Sequence, residues 1–143
     1  MPSAALIKEF EAVVGKDNVF TSEADRQSYS YDSAVLDAVV PALVVRPTTT
    51  EQLGKVVRLC NENGNPITVR GAGTNLPGGT IPDPREGIVI LTNSLNRIIE
   101  INEEDLYAVV EPGVVTAKFA AEVAKRGLFY PPDPGSQAVS TLG

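Results

Sequence analysis

Residues 66–80 read Pro66-Ile67-Thr68-Val69-Arg70-Gly71-Ala72-Gly73-Thr74-Asn75-Leu76-Pro77-Gly78-Gly79-Thr80. The first four residues have the apolar and β-branched character of a short strand. The glycines and the alanine that follow leave backbone N–H groups uncovered by side chains, as a concave anion-binding nest requires. We therefore expect a phosphate-bearing ligand at this loop. On glycine content alone, a glycine-rich surface turn is an equally good interpretation.

Two better-known phosphate loops do not fit this spacing. A Walker loop ends in Gly-Lys followed by Ser or Thr, whereas Gly79 is followed by Thr80. The dinucleotide fingerprint Gly-x-Gly-x-x-Gly would need a glycine where Leu76 stands, followed by a helix that faces the pyrophosphate. Pro77 and the prolines and glycines after it argue against a helix there. Any pyrophosphate would therefore be held by loop amides.

The flanking residues predict a strand, a helix and a second strand. Residues 39–45 read as a strand that is closed by Pro47, and Thr49 or Thr50 then caps a helix that stops at Gly64. The expected apolar face of that helix consists of Leu53, Val56, Val57 and Cys60. A crossover helix of this kind makes its two strands parallel and places the glycine loop at a carboxyl end, where α/β sheets bind ligands.

The rest of the chain predicts one α/β (α+β) unit, with a small parallel or mixed sheet flanked by helices. An amphipathic helix should begin after Ser3 and end at Gly15. Residues 17–32 are polar and irregular, so we expect a mostly surface segment with a short helical turn at Ser22. Further elements are expected as strands at 87–91, 98–101 and 107–110 and as a helix at 116–125.

Composition bounds the function. The chain has 143 residues, of which 43% are apolar, enough for a single domain with a real core. Its net charge of -6 argues against nucleic acid and anionic membranes as partners. No apolar run is long enough to span a bilayer and no leader is apparent, so we expect a cytoplasmic protein.

Histidine is absent, and Cys60 is the single cysteine. The commonest general base and the commonest metal ligand are therefore missing, which argues against most hydrolytic and zinc chemistry. We predict no metal site and no catalytic residue, and we expect Cys60 to be a buried, inert thiol.

Several motifs in a fixed order resemble the FAD-binding domain of the vanillyl-alcohol-oxidase or PCMH type, and most closely its branch of glycolate oxidases and FAD-linked D-lactate dehydrogenases. The resemblance runs from Asp32 to Gly143. The motifs that carry it are the glycine loop, Val45-Arg46-Pro47 with residues 48–53, Glu111-Pro112-Gly113-Val114, residues 130–136, and Ser140-Thr141-Leu142-Gly143.

The resemblance implies residue roles. It places the FAD pyrophosphate on the glycine loop and a second segment beside the flavin. The cofactor-binding residues so implied are Arg70, Gly71, Ala72, Gly73, Thr74, Asn75, Gly78, Gly79, Pro132, Asp133, Ser136 and Thr141. For Arg70 the residues themselves favour a structural role, in which the guanidinium bonds loop carbonyls. Asn75 and Pro77 depart from the glycine and serine that close relatives often carry.

Some members of this type bind FAD covalently through a histidine at the position that matches Thr74. Threonine cannot form that bond, so the resemblance implies noncovalent FAD. Members are also several-fold longer than this chain, so residues 1–143 are expected to be the N-terminal part of the FAD-binding domain, without its remainder and without the substrate domain.

The activity implied by the resemblance is oxidation of a 2-hydroxy acid to a 2-oxo acid, with hydride transfer to FAD, and the fragment is expected to be inactive alone. The alternatives are a non-catalytic nucleotide-binding or assembly module with the same fold and a nucleotide-binding regulatory domain. The expected partners are a 2-hydroxy acid in the full-length protein and other subunits of an oxidase complex. Self-association is a further expectation, because an incomplete sheet exposes apolar strand surface.

Overall fold

The computed structural model describes residues 1–143 as four α-helices and two β-sheets. The helices are α1 (Ala4–Val14), α2 (Glu23–Gln27), α3 (Thr50–Glu62) and α4 (Thr116–Ala124). The strands are β1 (Val19–Phe20), β2 (Leu43–Val45), β3 (Ile67–Arg70), β4 (Ile88–Leu91), β5 (Ile98–Asn102) and β6 (Tyr107–Val110). A 3-10 turn at Lys16–Asn18 joins α1 to β1.

The larger sheet has the strand order β1-β2-β4-β3. Strands β2 and β3 are both parallel to β4, which lies between them, and β1 pairs antiparallel with β2. The predicted parallel strand-helix-strand unit is therefore confirmed, with β4 inserted between its two strands. This arrangement leaves β3 at an edge, with the glycine loop leaving its carboxyl end.

Capping residues set the helix boundaries as expected. The Ser3 hydroxyl accepts a hydrogen bond from the Leu6 N–H, and the Thr49 hydroxyl accepts one from the Gln52 N–H. Thr49 rather than Thr50 is thus the cap of α3. Val57 lies off the buried face of that helix, with 41% of its surface exposed, so its predicted place in the apolar face is wrong.

The main core lies between one face of this sheet and helices α1 and α3. Phe10 and Val56 are fully buried there against the β-strand residues Leu43, Ile88 and Ile90. The opposite face of the sheet is covered more thinly, by Phe20 and Tyr29. Helix α1 therefore contributes to the core although it precedes the sheet in sequence.

Residues 17–32 differ from the expected surface segment. They include β1, which pairs with β2, and the side chains of Val19 and Ser30 are buried. The predicted strand over 39–45 is also shorter than expected and begins at Leu43.

Strands β5 and β6 form a separate two-stranded antiparallel sheet. One face packs on α4, where the Phe119 and Tyr130 rings meet edge to face at a centroid distance of 4.9 Å. The two-sheet arrangement refines the expected single mixed sheet, although the α/β class is confirmed.

Candidate FAD diphosphate site

The loop after β3 contains no helix and almost no internal backbone pairing. Its one backbone hydrogen bond joins the Ile81 N–H to the Gly78 carbonyl. None of the backbone N–H groups from residue 71 to residue 79 donates a hydrogen bond to another protein group. The main-chain donors of this loop are therefore free for an anion, as the sequence predicted.

Two glycines in the loop have left-handed backbone conformations that disfavour any other residue, and Gly73 also lacks room for a side chain. Gly73 has φ +71°, and an added Cβ would lie 2.3 Å from Nη2 of Arg70. Gly78 has φ +80°, and its Cβ would lie 2.5 Å from Cδ1 of Leu36. Glycine avoids left-handed strain at both positions, and at Gly73 it also avoids a collision with the buried Arg70 side chain.

The carboxy-terminal residues pack against the start of the loop. A Cβ on Gly71 would lie 2.1 Å from Oγ1 of Thr141 and 2.7 Å from the Gly143 carbonyl oxygen. This segment is held in turn by Leu142 N–H, which donates to Val114 O, and by Gly143 N–H, which donates to Pro112 O. Residues from two distant parts of the sequence thereby share one site.

A cavity of about 340 Å³ lies between the loop and this terminal segment. Most of the residues predicted to bind the cofactor line it, and none of its lining residues carries a titratable side chain. Its lining consists of Val69, Gly71, Ala72, Gly73, Thr74, Asn75, Pro77, Gly79, Thr80, Thr141 and Gly143. The donors free there are backbone N–H groups and the Thr74 hydroxyl, which suit a diphosphate, while the Asn75 amide and the Thr80 hydroxyl donate to Asp32.

Arg70 lies beneath this cavity and is only 8% exposed. Its Nη1 donates to the Tyr31 carbonyl oxygen at 2.6 Å and to Oγ1 of Thr80 at 3.4 Å, and its Cζ lies 5.7 Å from the ring centroid of Tyr29. These contacts agree with the structural role that the sequence favoured. Its predicted contact with the cofactor stays a prediction.

The other predicted residues lie at different distances from this cavity. Gly78 belongs to the loop and packs against Leu36 without lining the cavity. Pro132 and Asp133 are exposed on an irregular stretch and Ser136 lies in the turn that follows, and the cavity lining includes none of the three. Their proposed place beside the flavin stays a prediction.

One residue that sequence reasoning gave no role, Asp32, holds two parts of the loop. Its Oδ2 accepts hydrogen bonds from Nδ2 of Asn75 at 2.6 Å and from Oγ1 of Thr80 at 3.2 Å, and its Oδ1 accepts one from Ala34 N–H at 2.8 Å. Partial burial opposes ionisation of Asp32, but these hydrogen bonds together hold its pKa below the ordinary value. Asp32 and Asn75 are 43 residues apart, so no local sequence pattern could have paired them.

Glu111 fixes the connection between the two sheets. Its carboxylate accepts hydrogen bonds from the backbone N–H of Arg97 at 2.7 Å and from the Arg97 Nη2 at 2.7 Å. These bonds, with the guanidinium charge, lower the pKa of Glu111. Gly113, two residues further on, fits closely against the segment that follows β4, since a Cβ there would lie 2.4 Å from the Thr92 carbonyl oxygen.

A second, larger cavity of about 590 Å³ lies between the small sheet and α4. Its lining is almost entirely apolar and includes Ile101, Leu106, Tyr107, Val110, Phe119, Phe129, Tyr130 and Leu142. An apolar groove without a cluster of free donors does not suit a diphosphate.

None of the helices has the length and apolar content needed to cross a lipid bilayer.

The geometry defines a class: an α/β domain whose glycine loop, at the carboxyl end of an edge strand, leaves its backbone amides free to bind an anion. Comparison with known proteins agrees. Residues 41–143 match the family described as FAD binding domain. The chain belongs to this FAD-binding domain family, and FAD is its cofactor.

Individual relatives show which flavoproteins within this family the chain is similar to. The chain is 44% identical over 131 residues to glycolate oxidase subunit GlcD of Bacillus subtilis (strain 168), covering 92% of this chain and 28% of the relative. It is 32% identical over 139 residues to D-lactate dehydrogenase of Anaerostipes hadrus, covering 96% of this chain and 29% of the relative. The chain thus spans less than a third of the curated relatives that it matches.

A solved structure confirms the fold. The crystal structure of p-cresol methylhydroxylase with substrate bound superimposes with a TM-score of 0.83 at 28% identity, covering 95% of this chain and 27% of that chain. The expected PCMH-type FAD-binding fold and the resemblance to flavin oxidoreductases of the glycolate oxidase and D-lactate dehydrogenase kind are therefore confirmed.

Proposed function

We propose that this chain supplies the diphosphate-binding part of a flavin-dependent 2-hydroxy-acid oxidoreductase, in which a 2-hydroxy acid is oxidised to a 2-oxo acid. One observation carries the proposal: unpaired backbone N–H groups from 71 to 79 border a cavity that Thr141 and Gly143 close from the other side. On this proposal residues 1–143 are the N-terminal part of the FAD-binding domain, and the rest of that domain and the substrate domain lie outside these residues.

The residues at the cavity fit the diphosphate of FAD. The backbone donors can satisfy the phosphate oxygens, and Thr74 adds a hydroxyl, whereas the side-chain amide of Asn75 is held by Asp32 beside the cavity. Arg70, below the loop, contributes positive charge close to the bound anion. FAD, when bound, supplies the hydride-accepting chemistry, while these residues bind and orient it.

Noncovalent attachment is part of the proposal, because threonine at position 74 offers no nucleophilic ring nitrogen. Precipitating the FAD-loaded protein with acid should leave all flavin in the supernatant. Flavin that stays with the precipitate would contradict this part.

The binding experiment compares ligands that share parts of FAD. We expect FAD to bind at least tenfold more tightly than AMP, a difference of about 1.4 kcal/mol, because AMP has one phosphate and no flavin. ATP should also bind more weakly than FAD. Quenching of flavin fluorescence measures FAD, and competition measures the other ligands. Equal affinity for FAD and AMP, or tighter binding of ATP, would contradict the proposal.

Catalysis needs groups that the cavity does not contain. No acid, base or cationic side chain lines it, so substrate carboxylate binding and proton abstraction would fall to residues outside this chain. We expect the FAD-loaded chain to reduce no dye when glycolate or D-lactate is added. Turnover by this chain alone would contradict that division of roles.

The same lack of titratable groups favours a second candidate function, a non-catalytic nucleotide-binding or assembly module.

Glycolate oxidase subunit GlcD is, by its name, a subunit, so partner subunits belong to the proposal. Self-association does as well, because Ile99 and Val109 on the small sheet are exposed. Sedimentation velocity over a range of concentrations tests self-association.

A cytoplasmic location is the remaining part of the proposed function, and cell fractionation tests it.

A further inference from the structure

The shape of the glycine loop depends on side chains. Between residues 71 and 79 no backbone N–H is paired, so the loop lacks the internal ladder that fixes a helix or strand. The fixed contacts lie at its ends and underside. They come from Arg70, which bonds Tyr31 and Thr80, and from Asp32, which bonds Asn75 and Thr80.

Asp32 makes the contact that joins the two arms of the loop. From the first arm, its Oδ2 accepts a hydrogen bond from Nδ2 of Asn75 at 2.6 Å. From the second arm, the same oxygen accepts hydrogen bonds from the hydroxyl of Thr80 at 3.2 Å and from its backbone N–H at 3.4 Å. The Thr80 hydroxyl also lies 3.1 Å from Oδ1 of Asn75. Asp32, Asn75 and Thr80 therefore form a closed clasp across the glycine-rich turn.

We propose that Asp32 is a positioning residue, which holds the loop amides in the arrangement that receives the FAD diphosphate. The inference rests on the proposed function, because it assumes that the diphosphate binds these amides. Preordering a loop removes an entropic cost that binding would otherwise bear. The clasp also gives a physical reason for Asn75, since glycine at this position could not reach the carboxylate.

The charge of Asp32 and its positioning role predict opposite changes in FAD affinity when Asp32 is replaced. A carboxylate near an anion site repels the anion, so charge alone predicts that neutralising Asp32 improves FAD binding. Positioning predicts a loss, because alanine removes the carboxylate oxygen that accepts hydrogen bonds from Asn75 and Thr80. The sign of the change in affinity therefore separates the two effects.

The test measures FAD, ADP and riboflavin binding to the wild-type chain and to Asp32→Ala, Asp32→Asn and Asn75→Ala. The matched control is Asp37→Ala, because Asp37 is an exposed aspartate in the same stretch with no hydrogen bond. We expect Asp32→Ala to weaken FAD and ADP alike by about tenfold, because binding must then bear part of the cost of ordering the loop. Riboflavin, which has no phosphate, should be unaffected by any of the variants.

Two comparisons make the role specific. Asp32→Asn should bind FAD with intermediate affinity, because an amide keeps one acceptor oxygen, and tighter binding by this variant would overturn the proposal. The double variant Asp32→Ala, Asn75→Ala should bind no more weakly than Asp32→Ala alone, since both substitutions break one clasp. Additive losses would also overturn it.

Backbone ¹⁵N relaxation of the unliganded chain separates failure of this inference from failure of the proposed function. Wild-type amides at Gly73 and Gly79 should be as ordered as those of the sheet, and Asp32→Ala should make them mobile while the melting temperature stays within a few degrees. Equal order in both proteins would overturn the inference. A wild-type chain that is ordered at the loop but binds neither FAD nor ADP would instead overturn the proposed function and leave the clasp supported.

Discussion

Replacement of Gly73 by alanine tests the construction of the loop. Gly73 has φ +71°, and the new Cβ would lie 2.3 Å from Nη2 and 2.5 Å from Cζ of Arg70. The buried guanidinium would have to move, and its hydrogen bonds to Tyr31 and Thr80 would weaken or break. The substitution therefore adds two costs, backbone strain and displacement of Arg70.

Gly127 provides a control for the first cost. Its φ is +73°, nearly the same as that of Gly73, but an added Cβ would meet nothing within 4 Å. Gly127→Ala should cost about 1 kcal/mol from left-handed strain alone. Gly73→Ala should cost about 3 kcal/mol, because loss of a charged hydrogen bond adds about 2 kcal/mol.

Urea unfolding followed by circular dichroism measures both free energies of unfolding, and a chain of this size should unfold in one step. The corresponding losses in melting temperature are about 10 °C for Gly73→Ala and about 3 °C for Gly127→Ala. If the two variants lost the same stability within error, Arg70 would not be packed beneath Gly73, and the description of the loop would be wrong.

Three further predictions concern the core, the thiol and the link between the sheets. Phe10→Ala should cost about 3–5 kcal/mol because Phe10 is fully buried, whereas Phe129→Ala, at a site 84% exposed, should change the unfolding free energy by less than about 0.5 kcal/mol. Burial raises the pKa of Cys60 to about 11, so Ellman's reagent should react with this thiol only as the protein unfolds. The stability that the neutral thiol contributes should be lost as pH rises from 9 through 11. Rapid labelling of the native protein at pH 7 would contradict this prediction. Hydrogen bonds from Arg97 lower the pKa of Glu111, so the stability contributed by the ionised carboxylate is present above its ordinary pKa of 4.5 and is lost on acidification. Glu111→Gln should therefore be less stable than the wild type at pH 7, and its stability should depend less on pH below pH 5. Parallel pH profiles for the two proteins would contradict this prediction.

Local patterns were sufficient for the elements that local chemistry determines. The caps at Ser3 and Thr49 and the stop at Gly64 have short-range causes, and helices α1 and α3 accordingly begin and end close to their predicted residues. The glycine loop was predictable for the same reason, because its lack of side chains is visible in the sequence.

Long-range pairing accounts for what the sequence did not predict. Strand β1 has only two residues, and it forms because Val19 and Phe20 find partners on β2. Placement of β4 between β2 and β3, and separation of β5 and β6 into their own sheet, likewise depend on tertiary contacts. Asp32 went unassigned for the same reason, since its partners come from a distant part of the chain.

The most direct test of the account is a ¹H–¹⁵N titration of the chain with FAD and, in parallel, with inorganic pyrophosphate. We expect the amides of residues 71–79 and of Thr141 to shift most with both ligands, since the diphosphate is the group they share. Shifts concentrated in the apolar groove around Phe119 and Leu142, with the loop amides unchanged, would contradict it.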